Sequence, residues 1–414
     1  MNATKNTFLS SFGAGLEYFD FIIYAMLAGY ISQLFFPGTD KFVSLVETFG
    51  VFAIGYFVRP IGGIIFGIIG DKYGRKVTFV VVMLLMSIAT TAMGLLPTYA
   101  SIGAYAALLF MLLRIVQGIS FGAELPCALT FISEHAGKKF RSVHCGILIS
   151  FVTMGVIMGT FTIYLLSAYL TDKEMLAYGW RIPFFIGGGL AIVTFFIRFF
   201  TKETPLFKEQ TDKPKNAFWL LLTEYYKQIA IGIGIMLLPS VLVMFVMCMP
   251  SYFSSAYGYD VKNIYYAITV GYIWSAISLP VFSFISDLVT RKALLIVACL
   301  AFITSGIYLF RMLDDNTFYN LIVFIIIYQT FISALSACFY PMLAESFPTK
   351  IRYTGVAFCY NITYALAALT PMLVNFVYNL NNESKYVSVI LILIAVVTLI
   401  SAGLSEDCTG EELT

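Results

Sequence analysis

The sequence predicts an all-α integral membrane protein with twelve transmembrane helices arranged as two six-helix bundles. Hydrophobic residues make up 60% of the 414 residues and charged residues only 12%, a composition far from that of a soluble globular protein. Apolar runs of the roughly 20 residues that cross a bilayer recur along the whole chain. Two charged loops of the first half reappear in the second half, which indicates a duplicated bundle.

Twelve apolar runs are long enough to cross a membrane. The first carries Glu17 and Asp20, and no small-residue cleavage site follows it, so we expect a retained helix rather than a signal peptide. The runs cover residues 8–36, 44–70, 77–96, 103–132, 142–170, 181–200, 228–256, 263–287, 292–312, 317–344, 351–379 and 385–404. An even number of spans places both termini on one side.

Lysine and arginine concentrate in alternate connections, and this bias sets the orientation. One set of segments contains Lys5, Lys72, Arg75, Lys76, Lys138, Lys139, Arg141, Arg198, Lys202, Lys208, Lys213, Lys215, Lys227, Arg291, Lys292, Lys350 and Arg352. The opposite set contains Lys41, Lys173, Arg181, Lys262, Arg311 and Lys385. The positive-inside rule makes the first set, and with it both termini, cytoplasmic.

The longest connection, residues 201–227, is polar and lysine-rich and follows the sixth run. It divides the chain into an amino-terminal bundle (residues 1–200) and a carboxy-terminal bundle (residues 228–404), with a short acidic cytoplasmic tail at residues 405–414. We expect both the linker and the tail to be mobile.

The two halves repeat each other at two loops. Residues 66–76 line up with residues 282–292, keeping Phe, Asp and a closing Arg-Lys, and residues 134–141 line up with residues 345–352, keeping the spacing from Glu to Arg. A duplicated bundle of this kind places its substrate site near the membrane midplane between the halves and works by rocking one half against the other.

Glycines four residues apart, at Gly63/Gly67 and Gly155/Gly159, predict close helix packing.

The turn between the second and third runs carries Gly67, Asp71, Lys72, Gly74, Arg75 and Lys76, and it resembles the signature loop of the major facilitator superfamily, G-x-x-x-D-[RK]-x-G-[RK]-[RK]. The resemblance implies the fold of that superfamily. It also implies that Asp71 locks the cytoplasmic ends of the halves together through Arg141 and the start of the eleventh helix near Lys350, where the helix dipole favours an anion.

Ionisable residues inside the apolar runs indicate the functional site, because a charge in the bilayer is costly unless it faces a wet cavity or a partner. The candidates all lie in the first half: Glu17, Asp20, Arg59, Arg114, Gln117 and Glu124. The three carboxylates are candidates to carry a coupling proton, and the two arginines are candidates to bind a substrate carboxylate. The alternative is that Arg59 and Arg114 only neutralise Asp20 and Glu124 within the bundle.

The second half offers polar and aromatic groups instead of mid-depth charge, and we expect it to shape the pocket. The pocket candidates are Tyr18, Tyr24, Trp274, Gln329 and Asn361, with Asn375 as a further polar residue of the second half. Aromatic faces among them suit a quaternary ammonium group through cation–π contact.

Six segments together resemble the metabolite:proton symporter family, which includes proline/betaine, α-ketoglutarate, citrate and shikimate transporters. They begin at Glu17, Arg59, Arg114, Gly179, Glu203 and Phe347 and read EYFDF, RPIGG, RIVQG, GWRIPF, ETPLF and FPTKIRYTG. The resemblance implies import of a small organic acid or zwitterion together with a proton, across a bacterial-type inner membrane, by a monomer that contacts substrate, protons and lipid bilayer but no nucleic acid. Ser283 and Thr290 stand where the second signature loop would have glycine, and Ala123 replaces a usual second glycine. The tail is too short for a coiled-coil extension, which argues against osmosensing.

Other function classes are disfavoured. We find no nucleotide-binding loop, metal-ligand cluster or nucleophile with its base, and seven scattered cysteines form no C-x-x-C pair, so no enzyme activity, cofactor or metal is expected. The remaining alternative is an exporter (antiporter) of a drug or metabolite on the same fold. Residues 155–160 of the fifth helix read GVIMGT, without the proline that exporters often carry, which favours import.

Overall fold

The computed structural model describes residues 3–38, 50–51, 54–199, 203–204, 206–207, 216–381 and 385–413. These residues form helices and connecting turns, with no strand among them. The twelve main helices are α1 (Ala3–Met26), α2 (Ile54–Tyr73), α3 (Arg75–Leu95), α4 (Ala104–His135), α5 (Arg141–Tyr169), α6 (Arg181–Phe199), α7 (Tyr226–Tyr257), α8 (Val261–Leu288), α9 (Arg291–Arg311), α10 (Phe318–Glu345), α11 (Arg352–Ala367) and α12 (Lys385–Leu404). Shorter elements are Ala28–Phe35, Tyr99–Ile102, Asp172–Glu174, Met175–Gly179 (a π-helix), Ala217–Glu224, Met312–Asp315 (a 3₁₀-helix) and Thr370–Asn381.

The length and hydropathy of these helices fit the predicted class. Among the described residues, ten helices are each long and apolar enough to cross a membrane, and two bent helix pairs raise the number to as many as twelve. The bent pairs are Thr7–Met26 with Ala28–Phe35, at 62°, and Asp172–Gly179 with Arg181–Phe196, at 42°. The prediction of an all-α membrane protein is therefore confirmed, with two of the candidate spans formed by bent helix pairs.

The first break corrects the uninterrupted run predicted over residues 8–36. It falls at Leu27, two residues before Gly29, a weak helix former in the first turn of Ala28–Phe35. The carbonyl oxygen of Gly29 accepts hydrogen bonds from the Ser32 hydroxyl and the Gln33 side-chain amide, both at 2.9 Å. Such local side-chain bonds compete with the backbone ladder and favour a bend.

The eleventh run, predicted over residues 351–379, is also interrupted. Helix α11 ends at Ala367 and the chain resumes helix at Thr370. Pro371 has no N–H to donate to the preceding turn, so the backbone ladder is lost there.

The connection predicted as a polar linker over residues 201–227 contains more structure than expected. Ala217–Glu224 forms a helix that packs on α11 and α2. The other predicted features at residues 44–49, 52–53, 201–202, 205 and 208–215 lie outside the described residues, as do Lys41, Lys202, Lys208, Lys213 and Lys215. The domain boundaries at residues 200 and 228 remain predictions; "first half" and "second half" below mean the described residues before and after that linker.

Each half has its own helix contacts, and two helix pairs make the most extensive contacts between the halves. In the first half α1 packs on α5 and α6, and α3 packs on α4 and α6; in the second half α7 packs on α11 and α12, and α8 packs on α10. Between the halves α2 packs on α11 and α5 packs on α8. The cross-half pairs are equivalent by the repeat, because α2 corresponds to α8 and α5 to α11.

Two of the glycines predicted to pack closely lie against the backbone of a neighbouring helix. A Cβ atom added at Gly155 of α5 would lie 1.9 Å from the carbonyl oxygen of Gly15 on α1, and one added at Gly67 of α2 would lie 2.9 Å from the Cα atom of Thr354 on α11. Both backbones approach at distances that no other residue tolerates, as small-residue packing in membranes predicts.

The tail is docked, which corrects the expectation that it is mobile. Arg141 Nη2 donates to the Glu411 carbonyl at 3.0 Å, and the Arg291 backbone N–H donates to the Thr409 hydroxyl at 3.1 Å. Partial burial by itself would raise the pKa of Asp407. Hydrogen bonds from Thr409 and Thr290, with Arg291 nearby, instead hold that pKa below its ordinary value. The tail thus contacts both halves.

Candidate transport site and gate

A cavity of about 140 Å³ lies between the halves. Its walls come from α1, α2, α4 and α5 of the first half and from α7, α8, α10 and α11 of the second. Its polar lining consists of Tyr18, Tyr56, Arg59, Thr153, Tyr272, Ser275, Gln329, Ser333, Ser336, Tyr340, Tyr360 and Tyr364. Pockets for drug-sized ligands typically run from about 300 Å³ upward. This one suits a smaller metabolite.

Arg59 is the one residue with a formal charge among the described residues that line the cavity. Its guanidinium carbon lies 3.9 Å from the ring centroid of Tyr56 and 4.4 Å from that of Phe121. Stacking on aromatic faces stabilises a buried guanidinium while its N–H groups keep their fork geometry for an anion. Arg59 therefore places one positive charge at the described lining of the cavity, and its binding of a substrate carboxylate stays a prediction.

Six tyrosines surround the rest of the cavity, and most of them were not found from the sequence. The Tyr18 and Tyr360 hydroxyls share a hydrogen bond of 3.4 Å, and the rings of Tyr360 and Tyr364 lie 4.6 Å apart. Of the predicted pocket residues, Tyr18 and Gln329 line the cavity. The tyrosines missed by the prediction are Tyr56, Tyr272, Tyr340, Tyr360 and Tyr364. The chain holds 27 tyrosines, and no sequence signal distinguishes those that face inward.

The other three pocket candidates lie elsewhere. Trp274 exposes 39% of its surface on the outer face of α8 and donates from Nε1 to the Thr330 hydroxyl at 2.8 Å. Asn361 bridges helices, because its Nδ2 donates to the carbonyl oxygens of Gly122 and Ala357 at 2.7 and 2.8 Å. Tyr24 packs inside the first half, with the Arg114 guanidinium 4.4 Å from its ring centroid. Aromatic or polar character alone did not reveal which way these side chains point.

Asp20 and Arg114 are joined by a buried chain of hydrogen bonds. Arg114 Nη1 donates to Gln117 Oε1 at 2.5 Å, Gln117 Nε2 donates to the Thr90 hydroxyl at 3.0 Å, and Thr90 donates to Asp20 Oδ2 at 3.2 Å. None of the four residues is more than 1% exposed. We call Asp20, Thr90, Gln117 and Arg114 the polar chain; Thr90 is its one member that the sequence analysis missed.

The polar chain lies inside the first half rather than at the cavity. Its residues come from α1, α3 and α4, and α6 closes it, since a Cβ added at Gly187 would lie 1.9 Å from Asp20 Oδ1. None of its members is among the residues that line the cavity. Glu17 and Glu124, the other predicted carboxylates, are likewise buried, at 2% and 1% exposure, without forming part of the described lining. Of the predicted charged residues, Arg59 thus lines the cavity. The others, Glu17, Asp20, Arg114 and Glu124, are not among the residues that line it.

The turn after α2 carries the first of two networks that hold the halves together. Asp71 accepts hydrogen bonds from the backbone N–H groups of Tyr353 (3.2 Å) and Thr354 (2.9 Å) and from the Thr354 hydroxyl (2.6 Å). Arg75 lies 3.3 Å from Asp71 and 2.9 Å from Glu134. The Asp71 carboxylate thus sits at the start of α11, where backbone N–H groups and the helix dipole both favour an anion.

The second network repeats the first on the other pair of helices. Asp287 accepts from the backbone N–H groups of Ser142 and Val143 at the start of α5, at 3.1 and 3.0 Å, and pairs with Arg291 at 2.8 Å. Glu345 pairs with Arg291 at 2.6 Å and also with Arg141. Arg141 therefore belongs to this network, which corrects its expected pairing with Asp71. The end of the molecule that carries both networks is called the signature-loop face below.

The remaining signature residues shape the turn. Gly74 adopts φ = 110°, a conformation that favours glycine. The backbone N–H of Lys76 donates to Glu203 at 3.0 Å, and Lys72 stacks on Tyr73 at 5.0 Å. Thr204 donates to Glu134 at 2.6 Å, so the described start of the linker is bound to the first network. No group of three or more potential metal ligands occurs in the described part of the chain.

The family model described as Major Facilitator Superfamily matches residues 10–369. The chain belongs to the major facilitator superfamily. The fold agrees: the proton:xylose symporter XylE superposes with a TM-score of 0.83 at 15% sequence identity, over 99% of this chain and 97% of that chain. The protein is therefore a multi-pass membrane transporter.

Two relatives narrow the resemblance within the superfamily. The proline/betaine transporter of Salmonella typhimurium strain LT2 is 31% identical over 422 residues, covering 97% of this chain and 83% of the relative. The glycine betaine/proline/ectoine/pipecolic acid transporter OusA of Dickeya dadantii strain 3937 is 28% identical over 421 residues, covering 98% and 83%. The resemblance predicted from the sequence segments is confirmed.

Proposed function

We propose that this transporter imports a small zwitterion of the proline or betaine class together with a proton, by alternating access through the tyrosine-lined cavity. The observation that carries the proposal is the pairing of one cation, Arg59, with six tyrosine rings around the cavity. Arg59 would bind the substrate carboxylate, and the ring faces would attract its substituted ammonium group.

The charge of the cavity favours one of the two substrate classes that the sequence leaves open. A di- or tricarboxylate carries more negative charge than one arginine offsets, and an uncompensated buried anion is unfavourable. A zwitterion needs one anion-binding group and one surface that accepts a cation without a full counter-charge. The described lining offers that combination, and both relatives are named for compounds of this kind.

Alternating access would depend on the signature-loop face. Both ion-pair networks are formed and their members are almost fully buried, so the halves are joined at that end. The positive-inside rule makes this end cytoplasmic, in the inner membrane of a bacterium. In the proposed cycle the networks break when the halves rock and release substrate to the cytoplasm.

Asp20 is proposed as the proton carrier. It is buried inside the first half, where the ionised form is held by few donors, and its charge is linked to Arg114 through the polar chain. Binding and releasing a proton there would change the packing of α1 against α3 and α4 as the halves rock.

The test is uptake into proteoliposomes under an imposed inward proton gradient. Labelled proline, glycine betaine, α-ketoglutarate, citrate and shikimate are compared, each with and without a protonophore. Accumulation of proline or betaine that the protonophore abolishes supports the proposal. Accumulation of α-ketoglutarate, citrate or shikimate but of neither zwitterion overturns the proposed substrate class. If no compound is taken up and a preloaded compound is instead expelled, the protein is an exporter.

A further inference from the structure

We infer that Thr90 is a positioning residue of the proton site, because its hydroxyl joins Asp20 to the Gln117–Arg114 pair. The inference rests on the proposed function in assigning proton carriage to Asp20. It adds a residue on α3 through which a change in the protonation of Asp20 alters the hydrogen bonds of Gln117 on α4.

The donors of the polar chain all point the same way. Arg114 has only N–H groups, so its bond to Gln117 Oε1 fixes the orientation of that side-chain amide. The Gln117 amide nitrogen must then donate to Thr90. A hydroxyl has a single hydrogen, and Thr90 gives it to Asp20 Oδ2 at 3.2 Å. The chain runs from a cation to a carboxylate, and this polarity matches the charged form of Asp20.

Protonation of Asp20 removes the reason for that polarity. A proton on Oδ1 leaves Oδ2 as a neutral carbonyl oxygen, so the hydrogen bond from Thr90 loses its charge assistance. A proton on Oδ2 itself makes that oxygen a donor, and the Thr90 hydroxyl then turns to the carbonyl four residues back, at Met86. The link between α3 and α4 through Gln117 changes with it.

The charged groups around Asp20 leave the polar chain as its main described link to a cation. On α1 the neighbouring carboxylate is Glu17, and Lys5 lies near the start of the helix. On α4 the charged or titratable residues are Arg114, Glu124 and, at its end, Glu134 and His135. The charged residues of α3, α5 and α6 stand near helix ends: Arg75, Lys76, Arg141, His144, Arg181 and Arg198. The parts of α3 and α6 that touch Asp20 contribute Thr90 and Gly187, which do not titrate.

Three substitutions separate positioning from packing. Thr90→Val keeps the branched shape and removes the hydroxyl, whereas Thr90→Ser keeps the hydroxyl and removes a methyl group. Thr91→Val makes the same chemical change one residue along α3, where the side chain faces Gly188 of α6 rather than the polar chain. Asp20→Asn marks the loss of the proton carrier itself.

The experiment measures two properties of the full-length protein in liposomes. One is betaine transport over a pH series, measured both as gradient-driven accumulation and as counterflow exchange, so that the two rates can be compared. The other is the infrared difference band of the protonated Asp20 carboxyl group during a pH change, identified by its loss in Asp20→Asn. The infrared band does not depend on transport, so failure of the proposed function does not hide the role of Thr90.

We expect Thr90→Val to shift the Asp20 band and its pH midpoint and to lower accumulation roughly tenfold, the effect of one lost hydrogen bond to a charged group. Counterflow should stay within about twofold of the native protein, since it needs no net proton movement. Thr90→Ser and Thr91→Val should behave as the native protein. A native band and midpoint in Thr90→Val, or equal loss of counterflow in all three threonine variants, overturns the inference. Absence of protonophore-sensitive accumulation in the native protein contradicts the proposed function instead.

Discussion

Glu134 and Glu345 each pair with one arginine of their own half and one arginine of the other half, and so hold the signature-loop face closed in the same way. Glu134 of the first half pairs with Arg75 of its own half at 2.9 Å and with Arg352 of the other half at 3.1 Å. Glu345 pairs with Arg291 of its own half at 2.6 Å and with Arg141 of the other half. Each glutamate thus closes one side of the joint between the halves, and both sides must break for that face to open.

Glu134→Gln is expected to open the signature-loop face. The substitution leaves Arg75 and Arg352 buried with less negative charge, and breaking a buried pair costs about 3–5 kcal/mol. Cys127 reports the opening, because its thiol lies 3.6 Å from the Arg75 carbonyl and is buried. Maleimide labelling of Cys127 should become faster. Glu412→Gln is the control, since the Glu412–Lys138 pair is exposed and contributes little; equal labelling in both variants would contradict the prediction.

Gly155→Ala is expected to destabilise the first half. The new methyl group would meet the Gly15 carbonyl, so α1 and α5 must move apart, and overpacking of this kind costs about 1–3 kcal/mol. The thermal midpoint in detergent should fall. Gly189→Ala is the matched control, because nothing lies within 4 Å of a Cβ atom at that helical position. A midpoint unchanged by Gly155→Ala would show that the helices do not approach this closely.

Arg59→Lys is expected to weaken substrate binding although it keeps the charge. Lysine cannot stack flat on Tyr56 and Phe121 or offer a fork of two donors. The KM for betaine should rise roughly tenfold or more, the effect of a lost charge-assisted hydrogen bond. Arg181→Lys, at a residue whose Nη1 binds the Gly94 carbonyl outside the cavity, serves as the control. Equal KM values in the two variants would remove Arg59 from the binding site.

Asp407→Asn is expected to loosen the docked tail at neutral pH. The pKa of Asp407 lies below its ordinary value, so its contribution to docking is present above the unfolded pKa of about 3.9 and is lost as the pH falls through the folded value. The native tail should therefore stay docked at pH 7 and loosen only in acid. Labelling of the half-buried Cys408 at pH 7 should be faster in Asp407→Asn than in Glu406→Gln. If both variants label like the native protein, Asp407 does not secure the tail.

The sequence predicted the fold well because hydrophobicity over 20 residues is a strong local signal. Most helix bounds agree to within a few residues, as for the run predicted over 228–256 and observed as Tyr226–Tyr257. The bend at Leu27 and the break before Pro371 were missed, because both runs stay apolar across them. Helix continuity depends on backbone hydrogen bonds that hydropathy does not describe.

The candidate site was predicted only in part. The mid-membrane charges were visible because charge is rare in apolar runs, and the structure brings Asp20, Gln117 and Arg114 into one polar chain. The role of Thr90 could not be predicted, since threonine is common in apolar helices and carries no charge that would distinguish it. The partner of Arg141 was also missed, because the repeat reveals equivalent positions but not that the glutamates reach across to the other half.

The central claim is that a zwitterion and a proton move inward together through the Arg59 cavity. The most direct measurement is the internal pH of proteoliposomes, without an imposed gradient, when glycine betaine is added outside. The account predicts internal acidification that betaine causes and citrate does not, and that Asp20→Asn abolishes while counterflow exchange persists. Betaine accumulation without acidification, or with alkalinisation, would contradict it.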